Sequence, residues 1–156
     1  MISYIVSQHF EEADFLYRLR TSAISAPHYA LIDLAKLDDR VEAHLDGLRV
    51  AGEAGWELCK ATLSDEEDGE VFAASAMAFE SGIESRIQAG IEAVQKTSEL
   101  SKGIISALGW MSSQQAAPHT QRLLVAESPL QQLVGLAACA VHRQDSGVSD
   151  EDRHGR

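Results

Sequence analysis

Ala74-Ser75-Ala76-Met77-Ala78, Ile104-Ile105-Ser106-Ala107-Leu108 and Val134-Gly135-Leu136-Ala137-Ala138 are one pattern written three times, 30 residues apart. Ala74, Ile104 and Val134 share a column, as do Met77, Ala107 and Ala137, and Ala78, Leu108 and Ala138. Leu100 matches Leu130, although Glu70 breaks that column. The segments between align more loosely, with Ile87 on Ala117, Ala93 on Leu123 and Val94 on Leu124. A period of this length marks stacked supersecondary units. Each unit reads as a short helical hairpin whose apolar face is buried only against its neighbours, as in an α-solenoid. An antiparallel bundle also produces matches at such a shift, but the recurrence of small Ala and Gly residues in the same columns favours stacking.

The rest of the chain agrees with an all-α reading. Ala and Leu supply 38 of the 156 residues and Val, Ile and Thr only 22, a balance that favours helices over strands. Val6, Phe10, Ala13 and Tyr17 mark one face of a first helix over about 5–24. Ser25-Ala26-Pro27 ends it, because the residue before proline is pushed out of the α region. Asp33 reads as the N-cap of a second helix carrying Leu34, Leu37, Val41, Leu45 and Leu48. Gly52 closes that helix, and Gly55 belongs to a short turn before a helix at 56–63. After the acidic segment Ser64–Glu70, helices are predicted at about 70–81, 83–97, 98–111, 116–127 and 129–142, giving seven to eight in all. Residues 1–143 then form a single domain, with separate N-terminal helices at 5–64 and the clearest repeats at 70–143. Residues 144–156 lack apolar periodicity and are expected to be a disordered tail.

Three stretches carry a resemblance to known proteins: Phe15-Leu16-Tyr17-Arg18-Leu19-Arg20, the segment from Asp38 to Gly52, and Ser106-Ala107-Leu108-Gly109-Trp110. With them the chain resembles a family of uncharacterised bacterial HEAT-repeat proteins over most of residues 5–143. Ser128-Pro129-Leu130 before Gln131–Ala138, and Gly103–Gly109, look like HEAT-type elements. The resemblance implies a right-handed α-α superhelix of HEAT-like hairpins. Family members look longer, so it further implies the N-terminal part of a longer architecture. It implies no activity.

The sequence offers no catalytic constellation. Six histidines, His9, His28, His44, His119, His142 and His154, are scattered without metal-ligand spacing. Neither His9 with Glu12 nor Arg40 with His44, each one helical turn apart, makes a site alone. Cys59 lies beside Lys60 in sequence but on a different helix face, and Cys139 reads as a small buried hydrophobe. Gly52-Glu53-Ala54-Gly55 has neither the preceding strand nor the lysine of a phosphate cradle. No catalytic residue, metal or cofactor is expected, and the chain reads as a non-enzyme. A lyase-type activity on this fold has only fold-level possibility behind it.

The unusual feature is polar. Asp39, Glu42, Asp46 and Arg49 form a row on the second helix, opposite Val41, Leu45 and Leu48. The row reads either as a recognition stripe or as a solvated face with a weak ion pair. Trp56 and Trp110 follow glycines and read as core filling, with Trp56 also a candidate interface anchor. Leu130, Leu133 and Leu136 give the last helix more apolar surface than one neighbour covers. These residues point to a protein–protein interaction scaffold. The alternative is a structural or regulatory N-terminal domain of a larger repeat protein, dimerising through the last helix or packing on further repeats.

Charge narrows the partners. The net charge is -11, from 24 acidic and 13 basic residues, which is the wrong balance for a phosphate backbone. It is uneven: residues 1–82 hold 16 acids and 6 bases (-10), residues 83–143 hold 4 and 5 (+1), and residues 144–156 hold 4 and 2 (-2). A basic segment of a protein partner suits the acidic half. Nucleic acid and membrane are not expected. The N-terminus lacks the pattern of a signal peptide, so a cytoplasmic location is the expectation.

Overall fold

The computed structural model describes residues 2–26, 30–65 and 67–154, and the side chains of 3–26, 30–65 and 67–143. The described residues are almost entirely helical, with no strand among them. The helices are α1 (Ile2–Ile24), α2 (Leu31–Ala51), α3 (Glu53–Thr62), α4 (Asp68–Ser81), α5 (Glu84–Lys96), α6 (Ser101–Trp110), α7 (Ser113–Leu124) and α8 (Pro129–His154). Single 3-10 turns occupy Leu63–Asp65 and Ser98–Leu100. No described helix is long and apolar enough to cross a membrane.

Local chemistry sets the boundaries. Gly52 takes φ +59° and Gly82 φ +68°, a region closed to most side chains; these two residues separate α2 from α3 and α4 from α5. Gly55 lies within α3 rather than in a turn before it, and its missing Cβ lets the Leu48 carbonyl pack against it. Asp33 is not the cap of α2. The helix begins two residues earlier, and the Asp33 carboxylate reaches back to accept the Ala30 N–H at 3.1 Å. Likewise α7 starts at Ser113, three residues before the expected position, because Ser112 and Gln115 form a reciprocal capping box. Pro118 is thereby carried inside α7, on its exposed side. Pro27 and Glu66 lie outside the described residues. The boundary drawn at residue 143 falls within the span of α8, and side chains from Gln144 onward are outside those described.

The core is organised around α4. Each residue from Val71 to Phe79 is buried, so this helix is enclosed on all sides, and all of these residues but Ser75 are apolar. It packs against α1, α3, α5 and α6. Tyr17 of α1 stacks on Phe72 with ring centroids 4.3 Å apart and planes 10° from parallel, and Trp110 of α6 meets Phe72 edge-on at 5.5 Å. On the other side, α4 neighbours α6 and α6 neighbours α8. Ala74, Ile104 and Val134 are all buried, as are Ala78, Leu108 and Ala138. Close approach in this layer depends on Gly103, where a Cβ would lie 2.9 Å from Val71 Cγ1 and 3.0 Å from the Asp68 carbonyl oxygen and the Phe72 nitrogen.

Candidate functional site

The polar row of α2 faces two other helices as well as solvent. Arg49 donates from Nε and Nη2 to the two carboxylate oxygens of Glu80 on α4, at 2.7 and 2.8 Å. Its Nη1 donates to Glu42 at 2.6 Å and to Asp46 at 2.5 Å. The other Glu42 oxygen accepts the indole N–H of Trp110 at 2.5 Å. One guanidinium thus joins three carboxylates, and through Glu42 it joins α2 to α6. The hydrogen bond to Glu80, foremost among these contacts, raises the Arg49 pKa and holds the cation charged. Asp39 is exposed and belongs to none of these bonds, whereas the Asp46 side chain is still 65% exposed. Arg20 pairs with Asp38 nearby, its guanidinium 5.6 Å from the centre of the Trp110 ring.

Trp56 leaves the candidate surface. It is 4% exposed in the core, with the Arg86 guanidinium 5.2 Å from its ring centre. Its position on the inner side of α3 beside Cys59 explains this: the two residues share a helical face and are buried together. Cys59 has no surface at all, and burial pushes its thiol up to about 12, so it is neutral and inert as a nucleophile at ordinary pH.

The three leucines of α8 divide. Leu130 is half-buried against the core, whereas Leu133 and Leu136 are 58% and 60% exposed. Pro129, Gln132, Leu133, Leu136 and Ala140 make one outward stripe, while Val134 and Ala138 are buried on the opposite side, against α6 and α7. No charged residue occurs between Pro129 and Val141. The row of α2 and the stripe of α8 are therefore different surfaces, one cross-linked by charge and the other uncharged and, apart from Gln132, apolar.

Two further clusters were not readable from spacing. His9 on α1 and His44 on α2 face each other with their Nδ1 atoms 3.0 Å apart. Their 35-residue separation hides the pair in the sequence; the only signal is Gly47, where a Cβ would lie 2.5–2.7 Å from the His9 ring. Asp14 of α1 lies against Gly69 at the start of α4, is 8% exposed, accepts from Arg18 through Oδ2, and has no hydrogen-bond partner at Oδ1. Burial raises its pKa. Glu70 has an unpartnered buried Oε2, and burial, followed by the charges of Asp65, Asp14 and Glu67, pushes its carboxyl up to about 7. Among the described residues no three His, Cys, Asp or Glu side chains converge in a way that could hold a metal ion. The chain matches no protein-family model, no curated protein and no solved structure.

Proposed function

We propose that this chain is a non-catalytic protein–protein interaction scaffold whose binding surface is the outward stripe of α8. The observation that carries the reading is the two-sidedness of that helix: Val134 and Ala138 are buried, while Leu133 and Leu136 stay exposed in a segment without charge. Apolar side chains grouped on one helix face mark a site that another apolar face covers. The side-by-side order of α4, α6 and α8 supports HEAT-like stacking of residues 70–143 in an α-α superhelix, in which the last helix of a layer offers its free side to a further helix. That helix belongs to a second copy of the chain or to a partner protein.

The acidic row contributes less to this reading than its sequence suggests. Glu42 and Asp46 already share Arg49 within the molecule, leaving Asp39 and the outer side of Asp46 for a basic partner segment. Light scattering over a dilution series, with hydrophobic-dye fluorescence, tests the proposal on the wild type and on a Leu133→Glu, Leu136→Glu double variant. The expected result is dye binding and concentration-dependent mass in the wild type, both lost in a variant of unchanged helicity. A wild type that is monomeric throughout and binds dye no better than the variant overturns it.

A further inference from the structure

The outward stripe of α8 carries a pattern that is complementary to itself. Between Glu127 and Arg143 the chain has no Asp, Glu, Lys or Arg, so one acid and one base close the two ends of an uncharged stretch. Both are exposed. Glu127 stands two residues before the start of α8, and Arg143 follows Ala140 of the stripe by three residues, on the same side of the helix.

The stripe and its two charges share a centre. Leu133 and Leu136 lie symmetrically about the point between Val134 and Gly135, and so do Pro129 and Ala140; Glu127 and Arg143 lie symmetrically about Gly135. A copy of α8 laid antiparallel about that centre therefore brings Leu133 of each chain onto Leu136 of the other, Pro129 onto Ala140, and Glu127 beside Arg143. Every contact then occurs twice, as an isologous interface requires. A parallel arrangement sets each charge against its own kind, which costs free energy.

The remaining charges agree. Residues 1–82 carry -10 and residues 83–143 carry +1, so two copies repel through the acidic half and meet without that opposition here. Gln132, the one polar side chain of the stripe, already donates its amide to the Ala126 carbonyl at 2.7 Å, so covering it leaves that donor satisfied.

We propose that α8 is the two-fold interface of a homodimer, with two copies crossing antiparallel at Val134 and Gly135 and Glu127 paired with Arg143 at each end. The proposal rests on the reading of the stripe as a binding surface and names a second copy as its occupant. One helix face supplies less than the ~800 Å² per partner of a standard interface. The dimer is accordingly weak and exchanges with monomer in the micromolar range.

Sedimentation velocity of the full chain, from micromolar to millimolar concentration, tests the pairing with two charge reversals, Glu127→Arg and Arg143→Glu. Each alone turns both end contacts from attraction to repulsion and is expected to weaken the dimer by about tenfold. Mixed in equal amounts, the two variants complement each other at both ends, and the mixture is expected to regain the association of the wild type. A loss arising within each variant's own chain is not repaired by mixing. A wild type that stays monomeric yet binds hydrophobic dye through Leu133 and Leu136 overturns the second copy while the stripe remains a surface for another partner. Dimers insensitive to both reversals, or weakened variants whose mixture does not recover, overturn the antiparallel pairing. Dimers that persist in the Leu133→Glu, Leu136→Glu double variant overturn both this proposal and the reading on which it rests.

Discussion

Replacing Glu70 by glutamine should stabilise the protein at pH 8 and do nothing at pH 4. In the folded chain burial, then Asp65, Asp14 and Glu67, raise this carboxyl from 4.5 to about 7, and its Oε2 has no hydrogen-bond donor. A folded-state pKa above the unfolded value means that the native state holds the proton more tightly. The stabilisation is complete below about pH 4.5, declines as pH rises, and is gone above about pH 7. The shift from 4.5 to about 7 corresponds to roughly 3.4 kcal/mol at 1.36 kcal/mol per unit. Solvent on the open side of the residue screens part of this, leaving about 1–2 kcal/mol. Glu70→Gln removes the charge while keeping the shape, so the gain of about 1–2 kcal/mol should appear at pH 8 as a melting temperature higher by about 2–8 °C for a chain of this size. Urea unfolding followed by circular dichroism at pH 4, 6 and 8 measures it. Equal stability of the two proteins at pH 8, or the same gain at every pH, would refute the reasoning, because only a charge-dependent penalty vanishes on protonation.

Other perturbations probe the packing. Phe72→Ala removes the ring between Tyr17 and Trp110 at the centre of the core and should cost about 3–5 kcal/mol in chemical denaturation. Gly103→Ala drives a methyl against the Asp68 carbonyl and the Phe72 nitrogen, both backbone, and should cost about 1–3 kcal/mol, whereas alanine at Gly109, which meets only the Val141 side chain, should cost less. Trp110→Phe deletes the donor to Glu42 and should lower stability by about 1.5–3 kcal/mol, with a shift in tryptophan fluorescence reporting the loss of the indole site. His119 packs edge-on against Phe79, and burial lowers its pKa. Its contribution is present above pH 6.5 and declines as pH falls below that value, a decline that His119→Gln should abolish in melting curves between pH 5 and 8.

How far the sequence could be read depends on which interactions are periodic. Burial is periodic: Val6, Phe10, Ala13 and Tyr17 are all in the core, as are Leu37, Val41, Leu45 and Leu48. So are the columns of Ala74 and Ala78 with their matches in α6 and α8. Those patterns record which side of a helix meets other helices, and so they fix the class and much of the core. They do not record which helix is met. Arg49 finds Glu80 at a separation of 31 residues and Glu42 finds Trp110 at 68, and neither pair leaves a local trace. The row on α2 was therefore legible as a row but not as a cross-link. The start of α7 is different, since its signal is local: Ser112 and Gln115 spell a capping box, and the helix it starts carries Pro118, six residues after the cap, on its exposed side.

The cross-links and the apolar stripe also separate what holds the fold from what is free to bind. In residues 1–82 three of the six basic side chains, Arg18, Arg20 and Arg49, pair with carboxylates of the same half. Their pairings with Glu67, Asp38 and Glu80 span different elements or their flanking turns. Charge there is structural, and altering it perturbs how α1, α2 and α4 meet. Along α8 the neighbouring helices take only the side of Val134 and Ala138, so Leu133 and Leu136 can become polar without opening a cavity. Substitution of these two leucines should therefore change association without lowering the unfolding midpoint, while substitution of Glu80 should lower the midpoint and leave association intact. Coupling between the two effects, with the leucine variants unfolding early, would mean that the stripe is part of the fold and would remove the ground for calling it a binding surface.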